Sequence, residues 1–184
     1  YSDVNIESCI SELYETIKIT IPKTKNIDFF IIPNDKPAEF PIVTDEVKLK
    51  QVIVNLVTNA IKFTSEGHVA FGYRIDDKKK KVIFTIKDTG PGIDKNNHQH
   101  IFDRFKRVEN DASIKAGGLG LGLAISKAYV EMMGGMISLE SKVEQGSTFS
   151  FSIPLKYNEI HNITVKPIKS KSEQIHDDGM TILI

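Results

Sequence analysis

Two neighbouring segments, HVAFGYRI at 68–75 and KVIFTI at 81–86, place apolar side chains at every second position, and only the polar DDKKK separates them. Val69, Phe71, Tyr73 and Ile75 share one face of the first, and Val82, Phe84 and Ile86 share one face of the second. A period of two is the strand period, so the pair reads as a β-hairpin with an apolar face. Such a face needs a second layer to cover it. The rest of the chain offers helices for that layer. Ile6, Cys9, Ile10, Leu13, Tyr14 and Ile17 recur at three- and four-residue steps, which predicts an amphipathic helix with Ser2 or Asp3 as its cap. In DEVKLKQVIVNLVTNAIKFT, 45–64, Asp45 is the expected cap, and Leu49, Val52, Ile53, Leu56, Ala60 and Phe63 form the expected buried stripe. A third helix is expected from about Leu121 to Met133, ended by Gly134 and Gly135.

IDFFII at 27–32 reads as a strand and NDKPAEFP at 34–41 as a loop, with IVTD leading into the second helix. MISLES and STFSFSIPL form a second hairpin around 144–146. Strands and helices share the chain without regular alternation. That order argues for a two-layer α/β sandwich: a mixed, mostly antiparallel sheet with helices on one face. Residues 94–117 are polar and irregular apart from IFDRF at 101–105. A connection of that length in a compact domain points to function, and it is expected to be mobile without a ligand. Tyr157 to Gly179 is polar and lacks core positions, and the chain then closes on the apolar MTILI, 180–184.

The 24 basic and 24 acidic side chains cancel, so no broad field draws the chain to nucleic acid or to an anionic membrane. A single cysteine, Cys9, excludes an internal disulfide framework and fits a reducing compartment. No apolar run is long enough for a membrane span or a signal peptide. The chain opens inside an expected helix, as a piece of a longer protein would.

Three constellations could carry chemistry. Asn55, Asn59 and Lys62 are spaced by four and three, so they share one helix face, away from the centre of the buried stripe. Such a face is often only solvated. Asn is a mediocre helix former, however, and its amide oxygen suits Mg²⁺, which takes few protein ligands and fills its shell with water and phosphate oxygens. Lys62 would add a point charge for the same phosphates. In AGGLGLGLAISKAY, 116–129, glycines directly precede a helix, where bare N–H groups can meet an anion; the alternative is a hinge. The run lacks the Gly-Lys-Ser/Thr of a Walker loop and the G-x-G-x-x-G of a dinucleotide fold. In IKDTGPGI, 86–93, a carboxylate ends an apolar strand over Gly90 and Gly92. A turn explains the octet in isolation. Asp-Thr-Gly also occurs in aspartic proteases, which need two such carboxylates, and this chain has one.

Taken together, the segments resemble a known family. NLVTNAIKFT resembles the N box of sensor histidine kinases, DTGPGI their first glycine box, IFDRFKRV their F box, GLGLGLAI their second glycine box and QGSTFSFSIPL their closing hairpin. Order and spacing fit from about residue 3 to 156, so 1–156 is expected to be a catalytic, ATP-binding domain with the Bergerat fold shared with gyrase-type and chaperone ATPases. The resemblance implies that Asp88 accepts a hydrogen bond from the adenine amino group, with Gly90, Gly92 and Ile93 alongside. It implies that Asn59 ligates Mg²⁺ with Asn55 one turn away, that Lys62 and Arg107 contact phosphates, and that Phe63 and Phe102 pack near the nucleotide. It makes 94–117 the ATP lid and Gly118, Leu119, Gly120, Leu121 and Gly122 the phosphate-facing backbone, and it puts Thr148 near the adenine. The implied partners are ATP, a dimerisation and phosphoacceptor domain, and a response regulator or fused receiver. The implied location is the cytoplasm, with an inner-membrane sensor as a parent the resemblance allows.

Several positions depart from the pattern. Glu46 and Lys48 stand where the family usually has Pro and Arg, Leu119 where Thr is frequent, and Lys106 where an aromatic is common. Asn55 is an amide where the ATP-hydrolysing relatives carry a glutamate that activates water, and an amide cannot serve as that base. That favours phosphoryl transfer to a protein group. None of the five histidines has the context of a phosphoacceptor. A degenerate nucleotide-gated interaction module and a related serine kinase or ATPase stay open as alternatives. Residues 157–179 read as a linker, and 180–184 as the first strand of a receiver domain in a hybrid kinase, or else as an extra strand of the kinase domain.

Overall fold

The computed structural model describes residues 1–34, 38, 41–105 and 120–157. Its elements run β1 (Ser2–Val4), α1 (Ile6–Lys18), β2 (Asn26–Ile31), β3 (Ile42–Thr44), α2 (Glu46–Phe63), β4 (Glu66–Asp76), β5 (Lys81–Asp88), a 3₁₀ turn (Lys95–Asn97), α3 (Gly122–Met132), β6 (Met136–Lys142) and β7 (Gly146–Pro154). The main sheet has the order β2-β4-β5-β7-β6. β2 lies parallel to β4 and every other neighbouring pair is antiparallel. The expected mixed, mostly antiparallel sheet and its helical layer are both present.

The alternation read in the sequence sets the inner face. Val69, Phe71 and Tyr73 from β4, Val82, Phe84 and Ile86 from β5, and Phe149, Phe151 and Ile153 from β7 are all buried against the helices. Aromatic rings form part of this layer: Tyr14 stacks on Phe29 at 5.2 Å, Phe29 on Phe71 at 5.5 Å, and Phe84 on Phe151 at 4.7 Å. α2 is capped by Asp45 as expected, its side chain accepting from Lys48 N–H at 3.0 Å. Its buried face includes Val57 and Ile61, while Phe63 is only half-buried. The expected stripe is corrected there: the last turn rolls Ile61 inward and leaves Phe63 at the rim.

The N-terminus differs more. Ser2 and Asp3 do not cap α1; they lie in β1, which pairs antiparallel with β3 as a separate two-stranded sheet. The cap is Asn5, whose side chain accepts from Ser8 N–H at 3.0 Å. The segment IVT, expected as a lead-in to α2, is β3, and Val43 N–H also donates to Lys156 O at 2.8 Å. The last described residues thus pack back on the N-terminal part of the domain. Arg107, Lys106, Gly118, Leu119, the second half of the expected lid (106–117) and the MTILI run lie outside the described residues.

Candidate functional site

Along β5 the inward positions are Val82, Phe84, Ile86 and then Asp88. The strand's own period therefore drives a carboxylate into the helix-facing layer at the end of the sheet. Asp88 is 6% exposed. Its Oδ1 accepts Gly90 N–H at 2.8 Å and Ser147 N–H at 3.3 Å. Burial pushes the carboxyl above its ordinary range, while these two N–H donors and the charge of His68 pull it back. Among the described residues nothing donates to Oδ2, which is left as an acceptor.

The glycines around Asp88 are explained by protein contacts. A Cβ on Gly90 would lie 2.9 Å from Asp88 Oδ1 and 3.3 Å from both Phe63 O and Thr64 Oγ1. Gly90 thus lets the Asp88 turn close on the end of α2. Gly92 has φ +69°, and a Cβ there would stand 2.0 Å from Lys142 O. Its bareness serves the approach of this turn to the β6–β7 hairpin, which is sealed by Glu144 N–H donating to Pro91 O at 2.8 Å. Ile93 N–H donates to Ser141 Oγ at 2.8 Å.

Asn55, Asn59 and Lys62 occupy one face of α2, with the two asparagines half-buried and Lys62 exposed. Lys62 Nζ sits 5.5 Å from the centre of the Phe63 ring. Asn55 Nδ2 donates to Ser126 Oγ at 2.8 Å, and a Cβ on Gly122 would lie 2.4 Å from Asn55 Oδ1. α3 therefore begins directly against Asn55. Gln51, Asn55, Gly122, Ile125, Ser126 and Tyr129 line a small cavity between the two helices. Leu121, the N-cap of α3, makes no side-chain cap, so among the described residues the first N–H groups of that helix have no side-chain cap. Gly120, at φ +69°, accepts Phe105 N–H at 3.2 Å and so ties the start of α3 to the F-box segment. Phe102 packs its ring edge-on to Phe149 at 6.5 Å, a core contact.

Sequence reading placed Thr148 near the base. In the register Asp88 pairs with Ser147, and Thr148 pairs with Lys87 and Glu140 on the opposite face of the sheet. Ser147 is the β7 residue beside Asp88. The alternation of Phe149, Phe151 and Ile153 already held that signal, since 147 shares their parity. Two other groups had no signal in the sequence. Thr64 is fully buried with its hydroxyl unpartnered among the described residues. Lys25 Nζ donates to Ile61 O, Lys62 O and Thr64 O at 2.5, 2.8 and 2.8 Å, closing the end of α2.

The pattern of the histidine kinase-, DNA gyrase B- and HSP90-like ATPases matches residues 44–157, well over half of the chain. The chain belongs to this family. Within it, the relatives are sensor kinases. Autoinducer 2 sensor kinase/phosphatase LuxQ of Vibrio vulnificus is 34% identical over 99% of this chain and 21% of its own length. Hybrid signal transduction histidine kinase D of Dictyostelium discoideum is 32% identical over 94% of this chain and 11% of its own. The chain thus spans about a fifth or less of these relatives. Full-length ShkA, solved in complex with AMPPNP, superposes with a TM-score of 0.75 at 29% identity, covering 85% of this chain and 31% of that one. As a member of the ATPase family, the chain carries the histidine-kinase form of the domain, with Asp88, Asn55, Asn59 and the start of α3 around one face of α2. No helix among the described residues is long and apolar enough to cross a membrane.

Proposed function

We propose that the chain binds Mg-ATP and passes the γ-phosphoryl group to a histidine on a separate dimerisation and phosphoacceptor domain. The observation that carries this reading is Asp88: a buried carboxylate with one oxygen anchored by two N–H groups and the other open. A fixed acceptor of that kind suits an exocyclic amino group and repels a carbonyl at the same place. From Phe63, beside Gly90, to Asn55, beside Gly122, is about 12 Å of helix at 1.5 Å per residue. The base end and the phosphate end of the site therefore lie along one face of α2.

At the phosphate end the donor set fits a hard cation. The Asn55 amide nitrogen is taken by Ser126, which leaves Oδ1 as the coordinating atom, and Asn59 offers a second amide oxygen one turn on. Mg²⁺ held there would neutralise charge on the phosphate oxygens. Lys62 adds a cation on the same face, and the uncapped N–H groups of α3 face anions. An amide at Asn55 cannot activate water, so the site positions and neutralises, and the acceptor histidine supplies the nucleophile. The acceptor's ring nitrogen forms the new P–N bond as the bond to the ADP oxygen breaks. A response regulator or fused receiver would take the phosphoryl group next. The run MTILI, 180–184, is read as the start of such a receiver; a parent chain without an acidic pair within a few residues of Ile184 would refute that.

The test is to incubate the chain with γ-labelled ATP and the parent's phosphoacceptor domain. The expected result is acid-labile phosphate on the acceptor domain and none on this chain alone. Stoichiometric acid-labile phosphate on the chain alone, or an acceptor domain left unlabelled, would refute the reading.

A further inference from the structure

Asp88, Ser147 and Ser141 form one row across three strands: β5 pairs Asp88 with Ser147, and β6 pairs Ser141 with Ser147. Ser141 Oγ makes three contacts. Ile93 N–H donates to it at 2.8 Å, it reaches Gly146 O at 2.9 Å, and it lies 2.9 Å from Ser147 Oγ. A hydroxyl has one proton and two lone pairs. The Ile93 amide can only donate and the Gly146 carbonyl can only accept, so these two contacts consume one lone pair and the proton. The remaining lone pair of Ser141 must take the Ser147 proton. Ser147 Oγ is then left with acceptor capacity alone, and the register puts Ser147 on the same face of the sheet as its paired residue Asp88.

We infer that Ser141 is a positioning residue for base selectivity: it locks the Ser147 hydroxyl as a second acceptor beside Asp88, so that the site reads a donor edge and rejects a carbonyl. The inference rests on the adenine reading of Asp88. It predicts opposite signatures for two substitutions. Ser141→Ala frees the Ser147 hydroxyl to rotate and donate, so a base with a carbonyl gains. Ser147→Ala removes the second acceptor, so a base with an amino group loses.

The experiment is calorimetric titration of the chain with ADP and with inosine diphosphate, which carries a carbonyl where adenine carries its amino group. Ser141→Ala is expected to bind inosine diphosphate about fivefold tighter with ADP nearly unchanged, the worth of one net hydrogen bond. Ser147→Ala is expected to bind ADP about fivefold more weakly with inosine diphosphate nearly unchanged. Ser141→Thr, which keeps the hydroxyl, should restore the wild-type preference. If Ser141→Ala does not fold, Ser141→Cys, whose sulfur is a weak acceptor, is expected to show the same gain for inosine diphosphate, and an unchanged preference in it overturns the role of Ser141. Unchanged preference in the serine variants, with preference lost in Asp88→Asn, overturns the role of Ser141 and leaves the adenine reading standing. Unchanged preference in Asp88→Asn as well overturns both.

Discussion

Asp88 is held in a place that a carboxylate disfavours. Burial raises its proton affinity, so the folded, empty domain is destabilised by ionising it. The sign follows from the raised value: the stabilising, protonated state is complete below the ordinary carboxylate range and is lost as pH climbs through the raised one. Asp88→Asn keeps an oxygen for Gly90 and Ser147 and removes the charge. At neutral pH the variant should melt above the wild type, and the gap should close in acid, as thermal melts at several pH values would show. ADP affinity of the wild type should fall on acidification before an ordinary aspartate would protonate. Gly92→Ala is the opposite case. A side chain at φ +69° meeting Lys142 O should cost about 2 kcal/mol or more in denaturant unfolding. The inward placement of Asp88 at the end of β5 was legible in the sequence because its neighbours fixed strand and parity together. Motif matching singled out the hydroxyl of Thr148, whereas parity with Phe149 puts the hydroxyl of Ser147 on the face of Asp88.

At the scale of the elements, α2 organises the site. Its first turn is capped by Asp45 and its last by a side chain from another part of the chain, since Lys25 donates to three carbonyls there. That clamp sets Phe63 and Thr64, on which Gly90 and hence Asp88 rest. Lys25→Met should lower stability by about 1–2 kcal/mol, the worth of charge-assisted bonds to a helix C-terminus, and Lys25→Arg should recover part of it in the same urea unfolding assay. Long periodic elements such as α1, α2, β4, β5 and β7 were legible because each repeats its pattern several times. β1 and β3 were not. Each is three residues long, too short for a period, and each exists only through pairing with a partner about forty residues away. The cap at Asn5 was hidden by the same event, because Ser2 and Asp3 are taken up by β1.

For the molecule as a whole, a five-stranded sheet with its helical layer brings the ends of β5, β7 and α2 together at the base end of the site, while the start of α3 meets the middle of α2 at the phosphate end. We propose that Asp88 makes the pocket at that convergence an adenine site. Calorimetric titration of ADP with Mg²⁺ into the wild type and Asp88→Asn tests it most directly. The wild type is expected to bind, and Asp88→Asn to bind at least about tenfold more weakly, because a neutral amide replaces a charged acceptor. Equal affinity of the two proteins for ADP would contradict it.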